Sequence, residues 1–390
     1  MAGRVAPYVD NTGLVFAYDQ SNTVRSYLGE PTTNLIDSVN FTTNYDTSWN
    51  AQENIIQTKN QVNPQGVVDV TAIKIESNST SDNYFGVRGV KFAAAGANHT
   101  FSFWAKGNKV YNNFPINFGT YQVQVNVNIT TEWKYFTVQT GAGTTFTDHT
   151  LHFGGWGTWT DNTFDLYLWR PQLEYKSHAT PYVNGTRSAT QGLKDLTGRS
   201  TIDLSNVSFD SNAQMTFDGT DDFIPLGNLG TIGSAYTLEC VFNSTSVSSY
   251  RNVFDMNYNT YSGVTGNTGP RLEQTTGQGI NFIWSGVTNS NNLYNYTNTI
   301  SISANRNYHV AFVQDGSTGK MYLDGTLRDS ANNTQGYLQT FGDAAIGRGF
   351  TLDPSRYFSG GVYIFKIYNR ALTASEIRQN FNAVRGRYGI

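Results

Sequence analysis

The sequence has 390 residues, 14% charged and 14% aromatic, with 38 Gly, one Cys and a formal net charge of -3. A chain of this length holds two or three domains at roughly 100–200 residues each, and the lone Cys240 excludes an internal disulfide framework, so packed apolar and aromatic side chains must carry the fold. The near-neutral charge, with Lys and Arg scattered rather than striped, excludes binding to nucleic acid by counterion release, and no stretch approaches the roughly 20 apolar residues of a membrane span.

The start, MAGRVAPYVDNTG, has no apolar run of signal-peptide length and predicts a product made in a cytoplasm. GLVFAYD (13–19) reads as a strand, separated by the polar stretch SNTVRSYLGEPTTN from the block that follows, so its partner need not be its sequence neighbour. From Val67 to Tyr175 the chain runs through strand-length windows: VVDVTAIKI (67–75), HTFSFWAK (99–106), YQVQVNVNI (121–129), WKYFTVQ (133–139) and TFDLYLW (163–169). The third is diagnostic, because Val123, Val125, Val127 and Ile129 share one face while Gln122, Gln124, Asn126 and Asn128 share the other. Residues 176–200, rich in Gly, Ser and Thr, predict a connector.

A second block repeats the pattern with YTLECVF (236–242), INFIW (280–284), HVAFVQ (309–314), KMYLDG (320–325) and GVYIFKIY (361–368). Its connections contain Asp315-Gly316 and Asp324-Gly325, a pair favoured in tight hairpins because both positions accept positive φ. The expected fold is therefore all-β, two antiparallel β-sandwich (jelly-roll) domains with a short C-terminal α-helix. In that helix Thr373 serves as N-cap, Glu376 as its capping-box partner, and Leu372 with Ile377 as a hydrophobic staple. Ile377, Phe381 and Val384 form the docking face and Arg378 lies opposite.

The stretches FDGTDDFIPLG (217–227), NYHVAFVQDGSTGKMYLDG (307–325), AAIGRG (344–349) and YFSGGVYIFKIYNRALTASEIRQNFNA (357–383) resemble a concanavalin-A-like, laminin-G-type jelly roll of the kind found in bacteriophage virion proteins and bacterial surface proteins. Shorter members of that group pass from a first strand like Gly13–Asp19 directly to a Leu-x-Asp-Leu-x-Gly stretch. Here Leu193, Asp195, Leu196 and Gly198 supply that stretch far downstream. The resemblance thus implies three segments: 1–30, carrying the first strand of the jelly roll; 31–187, inserted; and 188–390, the rest of the jelly roll with its helix. The insert, through PTTNLI (31–36), FSFWAKG (101–107), WKYFTV (133–138) and LWRPQLEYKSHATPYV (168–183), resembles a carbohydrate-binding-module-like, galactose-binding-type sandwich.

Two groups of residues are candidate sites. Trp156 and Trp159 lie in the Gly-rich loop FGGWGTWTDN (153–162), where their rings could stack on a sugar with Asp161 and His152 as hydrogen-bonding neighbours. The bland alternative is that the tryptophans cap the sandwich. Asp218, Asp221 and Asp222 could offer oxygens to Ca²⁺, against the alternative of a structural turn, and the resemblance carries no complete metal site onto them. No cofactor is otherwise expected. His149 and His152 are spaced badly for a metal pair on a strand, GSTGKM (316–321) lacks the spacing of a phosphate loop, and no Gly-x-Ser-x-Gly elbow occurs, so no catalytic residue is assigned.

Function follows from the resemblance. It implies a phage virion structural protein on the particle surface, as a capsid decoration, head fibre or collar element. Its partners would be other virion proteins and host-surface polysaccharide, with homo-oligomers, commonly trimers, as the assembly. The alternative is a tail-fibre or tail-tip adhesin whose main work is polysaccharide recognition; a polysaccharide-degrading enzyme ranks third.

Overall fold

The computed structural model describes residues 11–36, 55–78, 87–91, 98–119, 123–141, 150–153, 163–256, 270–285, 294–296, 299–316, 318–332, 339–349 and 356–390. The chain forms two compact units. One comprises Met1–Glu30, Ser188–Asp210 and Gln214–Ile390; the other comprises Pro31–Arg187 with Ser211–Ala213.

The first unit is a jelly roll of an eight-stranded and a seven-stranded antiparallel sheet. In the larger sheet Ala235–Ser244 lies between Ser359–Tyr368 and Asn307–Asp315, and Leu14–Asp19 adds to Ser359–Tyr368. The N-terminal strand is held twice over. Its backbone pairs Tyr18 with Phe365, and the Asp195 carboxylate accepts from the backbone N–H of Ala17 at 3.0 Å. The same carboxylate accepts from the N–H groups of Thr197, Arg199 and Ser200, so the Leu-x-Asp-Leu-x-Gly stretch is a turn wound around one buried aspartate.

Alternation along each strand builds the core. Tyr236, Leu238, Cys240 and Phe242 point between the sheets, where Phe282 and Phe312 stack face to face at 3.6 Å. Thr237, Glu239 and Val241 point the other way, under the C-terminal helix Ala374–Tyr388. Asp324 and Gly325, at φ 51° and 69°, close the hairpin between Thr318–Leu323 and Thr326–Asn332 as the Asp-Gly pair predicts.

The helix begins as its sequence directs. The Thr373 hydroxyl accepts from the Glu376 N–H at 3.3 Å, and Glu376 Oε2 accepts from the Thr373 N–H at 2.7 Å. Ile377, Phe381 and Val384 are buried, and Asn380 joins them. Under this helix Glu239 Oε1 lies 2.8 Å from Lys366 Nζ and 3.2 Å from His309 Nε2, while Glu239 Oε2 accepts from Asn380 Nδ2 at 2.8 Å. Thr373→Ala is expected to lower jelly-roll stability by about 1 kcal/mol, read as a lower midpoint in urea with an unchanged slope.

The second unit is a sandwich of a four-stranded and a five-stranded sheet. The larger sheet runs, in spatial order, Lys134–Gln139, Thr100–Gly107, Thr163–Glu174, Ala72–Asn78 and Ile55–Thr58. Its inner face contributes Phe101, Phe103, Ala105, Leu166, Leu168, Ile73 and Ile75 to the core. From the facing sheet, Val123, Val125 and Val127 pack against that core and Ile129 lies within it, while Gln124, Asn126 and Asn128 are exposed.

Two expectations are corrected. The run VVDVTAIKI is not one strand: Val68–Asp69 pairs with Gln61–Val62, and Ala72–Asn78 starts afresh in the main sheet. The break is chemical, since Asp69 Oδ1 accepts from both the Thr71 N–H and the Thr71 hydroxyl at 2.8 Å, a side-chain turn that competes with the ladder. Nor is 176–200 merely a connector, because Thr186–Arg187 pairs with Thr32–Thr33 and a helical turn spans Ala189–Gly192. Gln191 Oε1 accepts from the Ser188 N–H at 2.9 Å, a cap that sequence reading passed over.

Candidate functional site

Of the residues singled out from sequence, Trp156, Trp159 and Asp161 lie outside the described residues. His152 belongs to the strand Thr150–Phe153 and stands opposite Asn117 in the four-stranded sheet. Asp218, Asp221 and Asp222 do come together, with carboxylate oxygens within 4.8 Å of one another; the first two are exposed and Asp222 is buried. Oxygens of Asp218 and Asp222 serve the turn. Asp218 accepts from the N–H groups of Thr220 and Asp221, and Asp222 accepts from the Asp218 N–H at 2.8 Å and the Ser208 hydroxyl at 3.1 Å. Burial raises the Asp222 carboxyl above its usual range, and the neighbouring Asp218 and Asp221 push the same way against those bonds.

A second constellation lies on the outer face of the five-stranded sheet. With Phe101, Phe103 and Ala105 turned inward, Trp104 and Lys106 must face out. The same alternation in Thr163–Glu174 puts Phe164, Leu166 and Leu168 inside and Asp165, Tyr167 and Trp169 outside. Register then aligns these side chains across strands. Tyr135 stands opposite Trp104 and Trp104 opposite Trp169, giving a row of three rings with centroids 5.5 and 6.2 Å apart.

One step along the sheet a second row reads Lys106, Tyr167, Lys74, and the Trp133 ring lies 6.5 Å from that of Tyr167. Lys106 Nζ sits 5.0 Å from the Tyr167 centroid and 5.4 Å from that of Trp133, within cation–π range. At the end of the first row the register shifts between Trp169 and Gln172, with Arg170 at φ 51° and its guanidinium 4.3 Å from the Trp169 ring centre.

The row is anchored at one end and open at the other. Trp169 is buried, and its Nε1 donates to Asp69 Oδ2 at 2.8 Å. Burial alone would raise the Asp69 carboxyl. Bonds from the Thr71 N–H, the Trp169 indole, the Thr71 hydroxyl and Asn63 outweigh it and hold the group at about 2, so it stays an anion throughout the neutral range. Tyr135, in contrast, is 48% exposed. Flat rings fixed by a sheet can stack on the C–H faces of pyranose rings, and the lysines and carboxylates alongside can meet hydroxyl groups.

The outer face of the seven-stranded sheet is of another kind. Arg356 Nη1 lies 2.9 Å from Glu273 Oε2 and Arg271 Nε lies 3.5 Å from the same oxygen, so one carboxylate is shared between two guanidinium groups. Arg356 also covers the Tyr250 ring at 5.0 Å.

Both central strands of the aromatic face are expected from sequence, but the site they form is not. The signal was present, since FSFWAKG and TFDLYLW carry large aromatic residues at odd and even positions alike. A strand with only one buried face places polar residues on the other, so rings on both faces single out this outer surface as a candidate site.

Residues 218–378 match the family described as the Concanavalin A-like lectin/glucanases superfamily. Over those residues the jelly roll has a concanavalin-A-like fold. Among solved structures, the receptor binding domain of botulinum neurotoxin D is similar at 14% identity and a TM-score of 0.39, over 50% of each chain. Domain 4 of AbnA, a GH43 extracellular arabinanase from Geobacillus stearothermophilus, solved with arabinotriose, is similar at 16% identity and a TM-score of 0.37, over 50% of this chain and 92% of that one. The chain spans about half the length of the neurotoxin domain. No curated protein matches it.

Proposed function

We propose that this protein binds polysaccharide through the outer face of the Pro31–Arg187 sandwich, and that it acts as an attachment element on the surface of a bacteriophage particle. The observation that carries the binding role is the cross-strand ring row Tyr135, Trp104 and Trp169, graded from exposed to anchored and flanked by lysines. The match of residues 218–378, which lie in the other unit, to the Concanavalin A-like lectin/glucanases superfamily supports a carbohydrate-binding role for the chain without locating it on this face. The sandwich stands as a module inserted into the jelly roll, consistent with the compact unit over Pro31–Arg187. A virion location, neighbouring virion subunits and a homo-oligomeric, trimeric assembly rest on the resemblance of the jelly-roll stretches to phage structural proteins.

Binding without catalysis is the reading favoured for both units. Among the buried carboxylates, Glu239, Glu174 and Asp195 are spent on internal partners: Lys366 and Asn380, Thr32 and Thr180, and the N–H groups of Thr197, Arg199 and Ser200 respectively. A glycosidase needs two carboxyl groups flanking one bond.

The test is a glycan array probed with the full chain and with Trp104→Ala. The wild type is expected to bind at least one polysaccharide class, and Trp104→Ala to lose about tenfold or more in affinity with an unchanged melting curve, as loss of a central aromatic contact does. An array on which wild type and variant behave alike removes the site. Antibody labelling of intact particles locates the chain; labelling confined to a tail tip favours the adhesin alternative over a head or collar element.

A further inference from the structure

Resting on the polysaccharide-binding reading, we infer that the face selects an acidic sugar, with Lys106 receiving the carboxylate of a uronic-acid-type residue whose ring lies against Tyr167 and Trp133.

Two lysines flank Tyr167 in the sheet and their surroundings differ. Lys74 Nζ is 2.6 Å from Glu76 Oε1 and 3.2 Å from Asp165 Oδ2, a cation with two carboxylates on it. Those partners raise the Lys74 pKa through its bond to Glu76 above all. Lys106, on the other side of the same ring, lies over the faces of Tyr167 and Trp133, and among the described residues no carboxylate lies within ion-pair distance of its ammonium. Burying or half-burying a cation against rings without a counter-charge forgoes the larger electrostatic gain available to it. Lys74 is already matched, so a bound anion gains nothing there, whereas at Lys106 it supplies the missing partner.

The geometry also orders the sugar. On the two central strands Trp104 and Lys106, and Tyr167 and Trp169, occupy successive same-face positions, while Tyr135 and Lys74 extend the two rows on the strands flanking them on either side. Same-face positions along one strand are spaced by about 7 Å, so a chain lying across the face can stack neutral residues on Trp104 and Tyr135 while one acidic residue reaches Lys106. Glu76 and Asp165, beyond Tyr167, repel a second anion at the Lys74 end and so fix which way the acidic residue faces.

The experiment is a calorimetric titration of the full chain with hexamers of galacturonate, glucuronate and mannuronate, each alongside its carboxyl-reduced neutral form. At least one uronate is expected to bind about tenfold tighter than its neutral form, the worth of one charge-assisted contact. That preference should vanish in Lys106→Gln, persist in Lys106→Arg, and weaken as salt rises; Trp104→Ala should weaken acidic and neutral forms together. Equal affinity for acidic and neutral forms, or a preference that survives in Lys106→Gln, overturns the acidic-sugar inference and leaves polysaccharide binding standing. Failure of all six oligosaccharides to bind overturns the acidic-sugar inference, while the polysaccharide-binding reading falls only if the glycan array shows no binding either. Unchanged melting curves for the Lys106 variants separate loss of binding from loss of fold.

Discussion

Glu239→Ala is expected to lower jelly-roll stability by about 3–5 kcal/mol, the cost of breaking a buried ion pair by removing one partner. Glu239 is 1% exposed, and its two oxygens meet Lys366, His309 and Asn380. Removing the carboxylate leaves the Lys366 ammonium buried beneath the C-terminal helix with no counter-charge. Asn380 lies on that helix, so the helix loses its bond to Glu239 of the sheet as well. The double variant Glu239→Leu, Lys366→Met is expected to recover most of the loss, because two apolar side chains of similar volume carry no desolvation cost. Recovery is measured as the urea midpoint. If the double variant is no better than Glu239→Ala, packing rather than charge governs this position.

The same group predicts a pH dependence. Burial would raise the Glu239 carboxyl, but the Lys366 charge and the His309 contact outweigh it and hold it at about 2, against an ordinary value near 4.5. A carboxylate lowered in the folded state contributes stability fully present above its unfolded pKa. That contribution fades as pH falls from about 4.5 to about 2, by roughly 3 kcal/mol in all. Urea midpoints of wild type and Glu239→Gln between pH 6 and 2.5 test this. The wild type should lose its advantage over that interval, and curves that stay parallel would remove the assigned role. Asp69 titrates in the same range in the other unit, and the comparison with Glu239→Gln cancels it.

Gly360→Ala is the second change of large expected effect. Gly360 lies in the strand Ser359–Tyr368 with φ 143°, paired with Phe217 on one side and Ser244 on the other. A Cβ there would sit 2.0 Å from the carbonyl oxygen of Asn243. Backbone on a central strand cannot move aside as a side-chain tip can, so the strand must shift or the φ must change, and either breaks ladder bonds on both flanks. A loss above about 4 kcal/mol is expected, seen as a jelly-roll transition lowered far below wild type or as insoluble product. A melting temperature within a degree or two of wild type would show that this edge of the sheet yields easily.

Local chemistry was legible in particular residues. The Thr373 to Glu376 box caps the last helix, Asp324-Gly325 turns its hairpin, and Ile377, Phe381 and Val384 dock. These depend on neighbours within a few residues, where spacing alone sets geometry. The splitting of VVDVTAIKI was less visible, because Asp69 had to prefer Thr71 over the ladder and then bind the Trp169 indole from 100 residues away. The aromatic face is hidden in the sequence for the same reason: Tyr135, Trp104 and Trp169 lie on three strands and become neighbours only through the register of the sheet.

By itself, then, the sequence determined that this is an all-β protein without disulfides, with period-two strands, Asp-Gly turns and one capped helix, since each of those follows from the conformational preferences of adjacent residues. Only the tertiary structure decided which strand pairs with which. That choice puts Leu14–Asp19 beside Ser359–Tyr368, and it sets Tyr135, Trp104 and Trp169 in one row with Lys106 unpaired by any described carboxylate and Lys74 paired. Register across strands joins residues far apart in the chain, and a shift of one residue would send every ring of that row to the opposite face.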